Sequence, residues 1–185
     1  MNVVKTAIPD VLILEPKVFG DSRGYFFESF NAREFAEKTG LDVVFVQDNE
    51  SQSRYGVLRG LHFQRPPFSQ SKLLRCIKGR VLDVAVDIRK GSAFYGKHVA
   101  VELSEENHRQ VFVPKGFAHG FCVLSDVAVC QYKCDAFYAP EADGGISIMD
   151  PSLDIDWGIP MEDAVLSAKD LTHPLLKDFD SPFVL

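Results

Sequence analysis

Apolar, β-branched and aromatic runs recur along the chain near 3–6, 11–19, 25–30, 43–49, 57–63, 72–77, 81–88, 97–103, 109–113, 118–124 and 127–138. Gly and Pro are spread between them as turn punctuation. Many short runs at this spacing predict an all-β sandwich or barrel. One stretch breaks the rhythm. Asn31 as N-cap, Ala32 to Thr39 with Phe35 and Ala36 turned inward, and Gly40 as the stop predict a short helix. A second helical or irregular piece is expected near 162–178. No repeat, low-complexity stretch or linker intervenes, so 1–185 reads as a single domain with an irregular or helical C-terminal segment from about 160 to 185.

The run 81–88 alternates most clearly. Leu82, Val84, Val86 and Ile88 form one apolar face, which predicts core, and Val81, Asp83, Ala85 and Asp87 form the other. Asp on an alternating strand usually means solvent, although the small Val81 and Ala85 also permit a cavity. Along 127–134 the same parity groups Ala128, Cys130, Tyr132 and Cys134, a tyrosine among small side chains, which suits a pocket wall.

Composition narrows the function classes. With 46% hydrophobic and 25% charged residues, the chain has the make-up of a globular protein, and no run approaches membrane-spanning length. The early apolar run Val11 to Leu14 is too short for the core of a secretory signal, so a cytoplasmic location is expected. A net charge of -6 disfavours nucleic acid as a partner and leaves any anionic ligand to local cations. Cys76, Cys122, Cys130 and Cys134 contain no Cys-x-x-Cys pair and read as reduced, buried small hydrophobes.

Two segments carry candidate chemistry: Arg59-Gly60-Leu61-His62-Phe63-Gln64, and Pro114-Lys115-Gly116-Phe117-Ala118-His119-Gly120. A lone His on an apolar strand is more often a satisfied core residue than a base. The company of these two histidines changes that balance. The Pro-x-Gly-x-x-His spacing, following a Gly- and His-bearing strand, resembles the cupin superfamily, whose fold is a double-stranded β-helix of jelly-roll type. Metal-binding cupins present His-x-His, a Glu and a later His. Here Gln64 replaces the second His, and Lys72 lies where the carboxylate is expected, so a metal is disfavoured. A cation beside a His suits proton abstraction with stabilisation of the resulting anion.

Arg23-Gly24-Tyr25-Phe26-Phe27-Glu28, Gln47-Asp48-Asn49, Arg59-Gly60-Leu61-His62, Lys72, the His119 segment, Gln131-Tyr132 and Lys169-Asp170 together resemble the dTDP-4-dehydrorhamnose 3,5-epimerases, over about residues 1–180. The resemblance implies cofactor-free and metal-free proton removal and return at the two carbons flanking the ketone of a dTDP-4-keto-6-deoxyhexose. It makes His62 the base, Asp170 its orienting partner, Lys72 the cation facing the enolate oxygen and Tyr132 the acid on the opposite face. It assigns Arg23, Glu28, Gln47, Asp48, Asn49, Arg59, His119, Asp143 and Lys169 to the nucleotide, diphosphate or sugar, with Tyr138 stacked on thymine. The family commonly carries Glu at the position of Asp143. The resemblance further implies a homodimer that exchanges N-terminal strands, with Arg23 and Glu28 entering the partner's pocket, and a role in L-rhamnose and cell-surface polysaccharide synthesis.

Regular strand parity places Arg59 and His62 on opposite faces, so a shared pocket requires a kink, expected at Gly60. His98, His108 and His173 have no motif around them and are read as structural. The rival functions are an epimerase of one carbon only, a metal-dependent cupin oxygenase, and a sugar-nucleotide binding module without catalysis.

Overall fold

The computed structural model describes residues 1–185. Its strands are β1 (Asn2–Lys5), β2 (Leu12–Glu15), β3 (Phe19–Asp21), β4 (Gly24–Phe26), β5 (Gln47–Arg54), β6 (Leu58–Gln64), β7 (Lys72–Lys78), β8 (Arg80–Asp87), β9 (His98–Ser104), β10 (Gln110–Val113), β11 (Phe117–Val123), β12 (Val127–Cys134) and β13 (Asp143–Gly145). One α-helix, α1 (Ala32–Thr39), precedes β5.

Two antiparallel sheets, ordered β1-β2-β10-β7-β12-β5 and β13-β6-β11-β8-β9, pack as the jelly-roll sandwich expected of a cupin, and β3–β4 forms a separate hairpin. Between them lies a core to which β7, β10 and β12 give Leu74, Cys76, Val111, Val113, Ala128 and Cys130, and β8, β9 and β11 give Val81, Ala85, Val101, Leu103, Phe121 and Val123. Each side chain follows from strand alternation, since inward positions recur every second residue.

The helix is bounded as its caps predict. Asn31 accepts the Glu34 N–H at 3.2 Å, and Gly40 takes a left-handed φ of 72°. Only Phe35 buries; Ala36, expected inward, is exposed, because the helix touches the outer face of the six-stranded sheet through one ring among Leu12, Leu14, Leu73 and Phe112.

The apolar face of β8 is core as expected, and the face bearing Asp83 and Asp87, for which solvent is the usual reading, is buried too. Neither meets solvent: Val81 and Ala85 line the sandwich interior, whereas Val84, Val86 and Ile88 pack outward beneath Ile146, Ile148, Leu153, Trp157 and Phe183. A C-terminal cover without regular strands therefore supplies the second burial layer, and 162–178 holds single 3-10 turns at Met161–Asp163, Asp170–Thr172 and Leu176–Asp178. Several apolar runs also overshoot. The run 43–49 gives way to a strand at Gln47–Arg54, the run 11–19 splits into β2 and β3, and β12 ends at Cys134. In each case backbone pairing, rather than apolarity, sets the boundary. No helix is long and apolar enough to cross a membrane.

Candidate active site

The kink required by Arg59 and His62 is present. Against β11, His62 stands opposite His119 while Arg59 stands opposite Phe121, so β6 has two residues where β11 has only Gly120. This bulge reverses the parity and turns Arg59 and His62 into the same cavity. Gly60 has φ 149°, and a Cβ there would sit 2.7 Å from the Gly120 Cα, so the two backbones approach too closely for any side chain.

Two adjoining cavities of about 420 and 390 Å³ share His62, Lys72 and Tyr132. The first is walled by Leu58, Leu74, Phe121 and Val165, with Arg59, His119 and Asp170 as its charged or titratable groups. The second is polar: Gln47, Asn49, Gln70, Tyr138, Asp143 and Lys169 line it. The shared residues come from different sheets, His62 from β6 and Lys72 and Tyr132 from β7 and β12, so they approach the cleft from opposite walls.

His62 Nε2 lies 2.6 Å from Asp170 Oδ1, and the Ser167 hydroxyl donates to Asp170 Oδ2 at 2.9 Å. The carboxylate thus fixes the ring, with Nε2–H as the donor and Nδ1 as the free lone pair. Burial pushes the His62 imidazole below its ordinary range, Asp170 opposes this, and Lys72 and Lys169 add to it. A depressed value keeps the ring neutral near pH 7. Burial also lowers Lys72, which the negative potentials of Cys134, Asp83 and Asp143 oppose, and it raises the Tyr132 phenol.

His119 is buried and its Nε2 stands 2.8 Å from Asp83 Oδ2. Asp83, on the face for which the sequence offers solvent or a cavity, is thereby a buried partner of His119. On the polar side Gln47 accepts the Tyr138 N–H at 3.0 Å and donates to Asn49 at 2.9 Å. Asp143 accepts from Lys169 and, at 3.4 Å, from the Tyr138 hydroxyl. The shorter acid therefore still ties both neighbours together. Arg59 is anchored by the Ser53 hydroxyl at 3.0 Å.

Three expected residues stand elsewhere. Asp48 alternates to the face opposite Gln47 and Asn49 and pairs with Lys133 at 3.0 Å, so it does not line the cleft. Arg23, on the exposed β3–β4 hairpin, pairs with Asp21 at 2.6 Å, and Glu28 accepts from Asn31 at 3.4 Å. Neither reaches the cleft of its own chain. Conversely, Ser51, Ser167 and His173 are drawn to the site without a motif to announce them. Ser51 was findable, since it lies two residues beyond Asn49 on the same face.

The donor set of metal-binding cupins does not fit. Gln64 spends its amide on the Phe68 and Phe137 carbonyls at 2.7 and 3.2 Å and accepts the Ala139 N–H at 2.8 Å, holding a loop rather than facing an ion. His119 is committed to Asp83, and Lys72 replaces the acid.

The arrangement thus sets a histidine, a lysine and a tyrosine across one cleft, in a chain that is similar to known proteins. Residues 5–178 match the family model described as dTDP-4-dehydrorhamnose 3,5-epimerase. The chain is 56% identical over 180 residues to the enzyme of that name from Shigella flexneri, covering 97% of this chain and 98% of the relative. It resembles the solved structure of dTDP-4-dehydrorhamnose 3,5-epimerase from Elizabethkingia anophelis with TM-score 0.92 and 54% identity, covering 96% and 97% of the two chains. It resembles dTDP-6-deoxy-D-glucose-3,5-epimerase from Legionella pneumophila, solved in complex with dTDP-4-keto-L-rhamnose, with TM-score 0.93, 50% identity and coverage of 97% and 94%. A family match over nearly the whole chain, relatives above half identity and the two-walled cleft agree: this chain belongs to the dTDP-4-dehydrorhamnose 3,5-epimerase family.

Proposed function

We propose that the protein inverts C3 and C5 of dTDP-4-dehydro-6-deoxy-D-glucose, giving dTDP-4-dehydro-L-rhamnose. The observation that carries this reading is the approach of His62 and Tyr132 to one cleft from opposite sheets. A proton taken and returned by the same group restores the starting stereochemistry, so inversion needs donors on two faces.

In each half-reaction His62 Nδ1 takes the C–H proton, and the bonding pair moves into the enolate spanning that carbon and C4. Lys72 faces the oxygen that gains charge, where a fixed cation is worth most in a site shielded from water. The Tyr132 hydroxyl then protonates the carbon from the other side. The raised phenol is suited to this, because it stays protonated near neutral pH. Tyrosinate and imidazolium exchange protons with solvent before the second carbon reacts. Asp170 holds the tautomer with the Nε2 proton toward itself, leaving Nδ1 for the sugar.

The polar cavity receives the nucleotide, with thymine on Tyr138 and Gln47, Asn49, Asp143 and Lys169 around it. Arg59 offers a bidentate fork to the diphosphate, and His119 lines the sugar end. The unit is a homodimer with exchanged N-terminal strands. Its support is the open β1 edge and the exposed Phe19, Tyr25 and Phe26 around Arg23, which together offer a surface for a second copy. Arg23 and Glu28 then complete the partner's cleft. The protein works in the cytoplasm, and its product enters L-rhamnose and cell-surface polysaccharide synthesis.

The test is incubation of chelator-treated protein with dTDP-4-keto-6-deoxyglucose in D₂O, with C3 and C5 followed by proton NMR beside His62→Ala. Deuterium at both carbons, reduced about 10²–10⁴-fold in His62→Ala, is expected. Deuterium at one carbon identifies a single-site epimerase, and none at either overturns the reading.

A further inference from the structure

His173 is the least explained polar side chain beside the cleft, behind His62 and Asp170. It is only 10% exposed, yet its Nε2 has no hydrogen-bond partner. The ring meets His62 edge-on, with centroids 5.6 Å apart, and Nε2 stands 3.9 Å from Asp170 Oδ1. Gly145 backs it so tightly that a Cβ there would sit 2.6 Å from that nitrogen. A buried imidazole nitrogen 3.9 Å from a carboxylate and left unpaired calls for a third party.

His62, Asp170 and His173 offer one donor atom each within 4.8 Å of one another. Two imidazoles and one carboxylate, of which His62 and Asp170 line the first cavity, are the ligands of a borderline divalent ion such as Zn²⁺. Mg²⁺ and Ca²⁺ prefer oxygen donors throughout. Around a tetrahedral ion with bonds of about 2.0–2.2 Å, donors stand roughly 3.3 Å apart. The 2.6 Å pair need only open and the 3.9 Å pair close by less than about 1 Å, while the two imidazole donors, within 4.8 Å of each other, close by up to about 1.5 Å. Lys72 and Lys169 face the site and weaken cation binding, although Lys169 is itself paired with Asp143.

We propose that His62, Asp170 and His173 form a Zn²⁺ site that switches the enzyme off. This residue set differs from that of metal-binding cupins, and its consequence is opposite. Coordination through His62 Nε2 displaces the proton now directed at Asp170. The neutral ring then carries its one proton on Nδ1, the nitrogen facing the substrate. A lone pair becomes an N–H, and the base is lost while the nucleotide cavity stays open. Inhibition therefore lowers kcat and leaves KM nearly unchanged.

The experiment titrates chelator-treated protein with CoCl₂, following the visible absorption of bound Co²⁺, and with ZnCl₂ and MgCl₂, following turnover. We expect one Co²⁺ per chain with a low-coordinate spectrum, Zn²⁺ inhibition confined to kcat, and no effect of Mg²⁺. His173→Phe keeps the ring but not the nitrogens. Read against the variant's own metal-free turnover, Zn²⁺ inhibition should be weakened by about 10–100-fold. His173→Gln serves if the Phe variant does not fold. Absence of a Co²⁺ spectrum in the unaltered protein, or equal Zn²⁺ inhibition in a folded His173 variant, overturns the proposal. The Co²⁺ spectrum does not depend on turnover, so its outcome is independent of the epimerase reading.

Discussion

At the scale of single residues, the proposed reaction divides one proton's path between His62 and Tyr132, and the two halves separate by mutation. Tyr132→Phe removes the acid and leaves the base. Solvent deuterium should still enter the substrate while net inversion falls by about 10²-fold or more, as NMR of the recovered sugar would show. Loss of exchange together with inversion would mean that Tyr132 is needed before the proton leaves.

The acid–base environment gives signed predictions. Burial holds His62 below its ordinary range, so the neutral base survives into mild acid, and kcat/KM should fall only below pH ~6.5. Asp170 is the influence that raises His62, so Asp170→Asn should move this acid limb lower still while reducing the plateau. On the alkaline side burial lowers Lys72 and raises Tyr132, so an alkaline limb set by the Lys72 proton begins below the ordinary lysine range. Lys72→Arg, which cannot deprotonate, should move the alkaline limb upward in a pH–rate profile.

At the scale of elements, the β6 bulge is the feature on which the site turns. Gly60→Ala forces a side chain onto the Gly120 backbone in a conformation L-residues rarely adopt. A loss of about 1–3 kcal/mol in thermal or urea unfolding is expected, with activity falling further because Arg59 and His62 no longer share a face. This kink was legible in the sequence, since strand parity and a shared pocket could not both hold without it. Other elements were not. β5 reads Gln-Asp-Asn-Glu-Ser-Gln-Ser-Arg and has no apolar period; it is a strand because each residue from Gln47 to Arg54 pairs with β12. Its polar inward positions face the cleft, so the usual apolar marker of a buried strand face is missing. The alternation of β8 was legible, but which face meets the second sheet was decided by residues far along the chain, at Ile146 to Phe183. Local pattern carries no information about that distant cover. Asp48 stands off the cleft for a simpler reason: a strand turns the middle member of Gln47-Asp48-Asn49 the other way.

At the scale of the whole molecule, the proposed dimer makes each cleft composite. Arg23→Ala and His62→Ala should each be poorly active alone. Mixed dimers of the two contain one cleft with an intact His62 and an intact Arg23 from the partner. Co-expression, with separately tagged chains to isolate mixed dimers, should restore roughly half of the unaltered activity if the arginine acts across the interface. No restoration would place Arg23 outside the partner's site.

Between 161 and 180 only Asp170 is buried; the rest of that stretch is exposed or half-buried, tied down by a few backbone hydrogen bonds such as Leu58 N–H to the Val165 carbonyl. His62 is held by a residue 108 positions later in the chain, through a cover that lacks the sandwich's ladders. Sparse cover of this kind opens locally at lower cost than the sheets it overlies. Warming should therefore silence the enzyme reversibly several degrees before the β-sheet circular dichroism signal melts, and coincident loss of both would show the cover and the sandwich to be one cooperative unit. The catalytic dyad is in that sense a thermal fuse, which lets go while the fold that carries it is still intact.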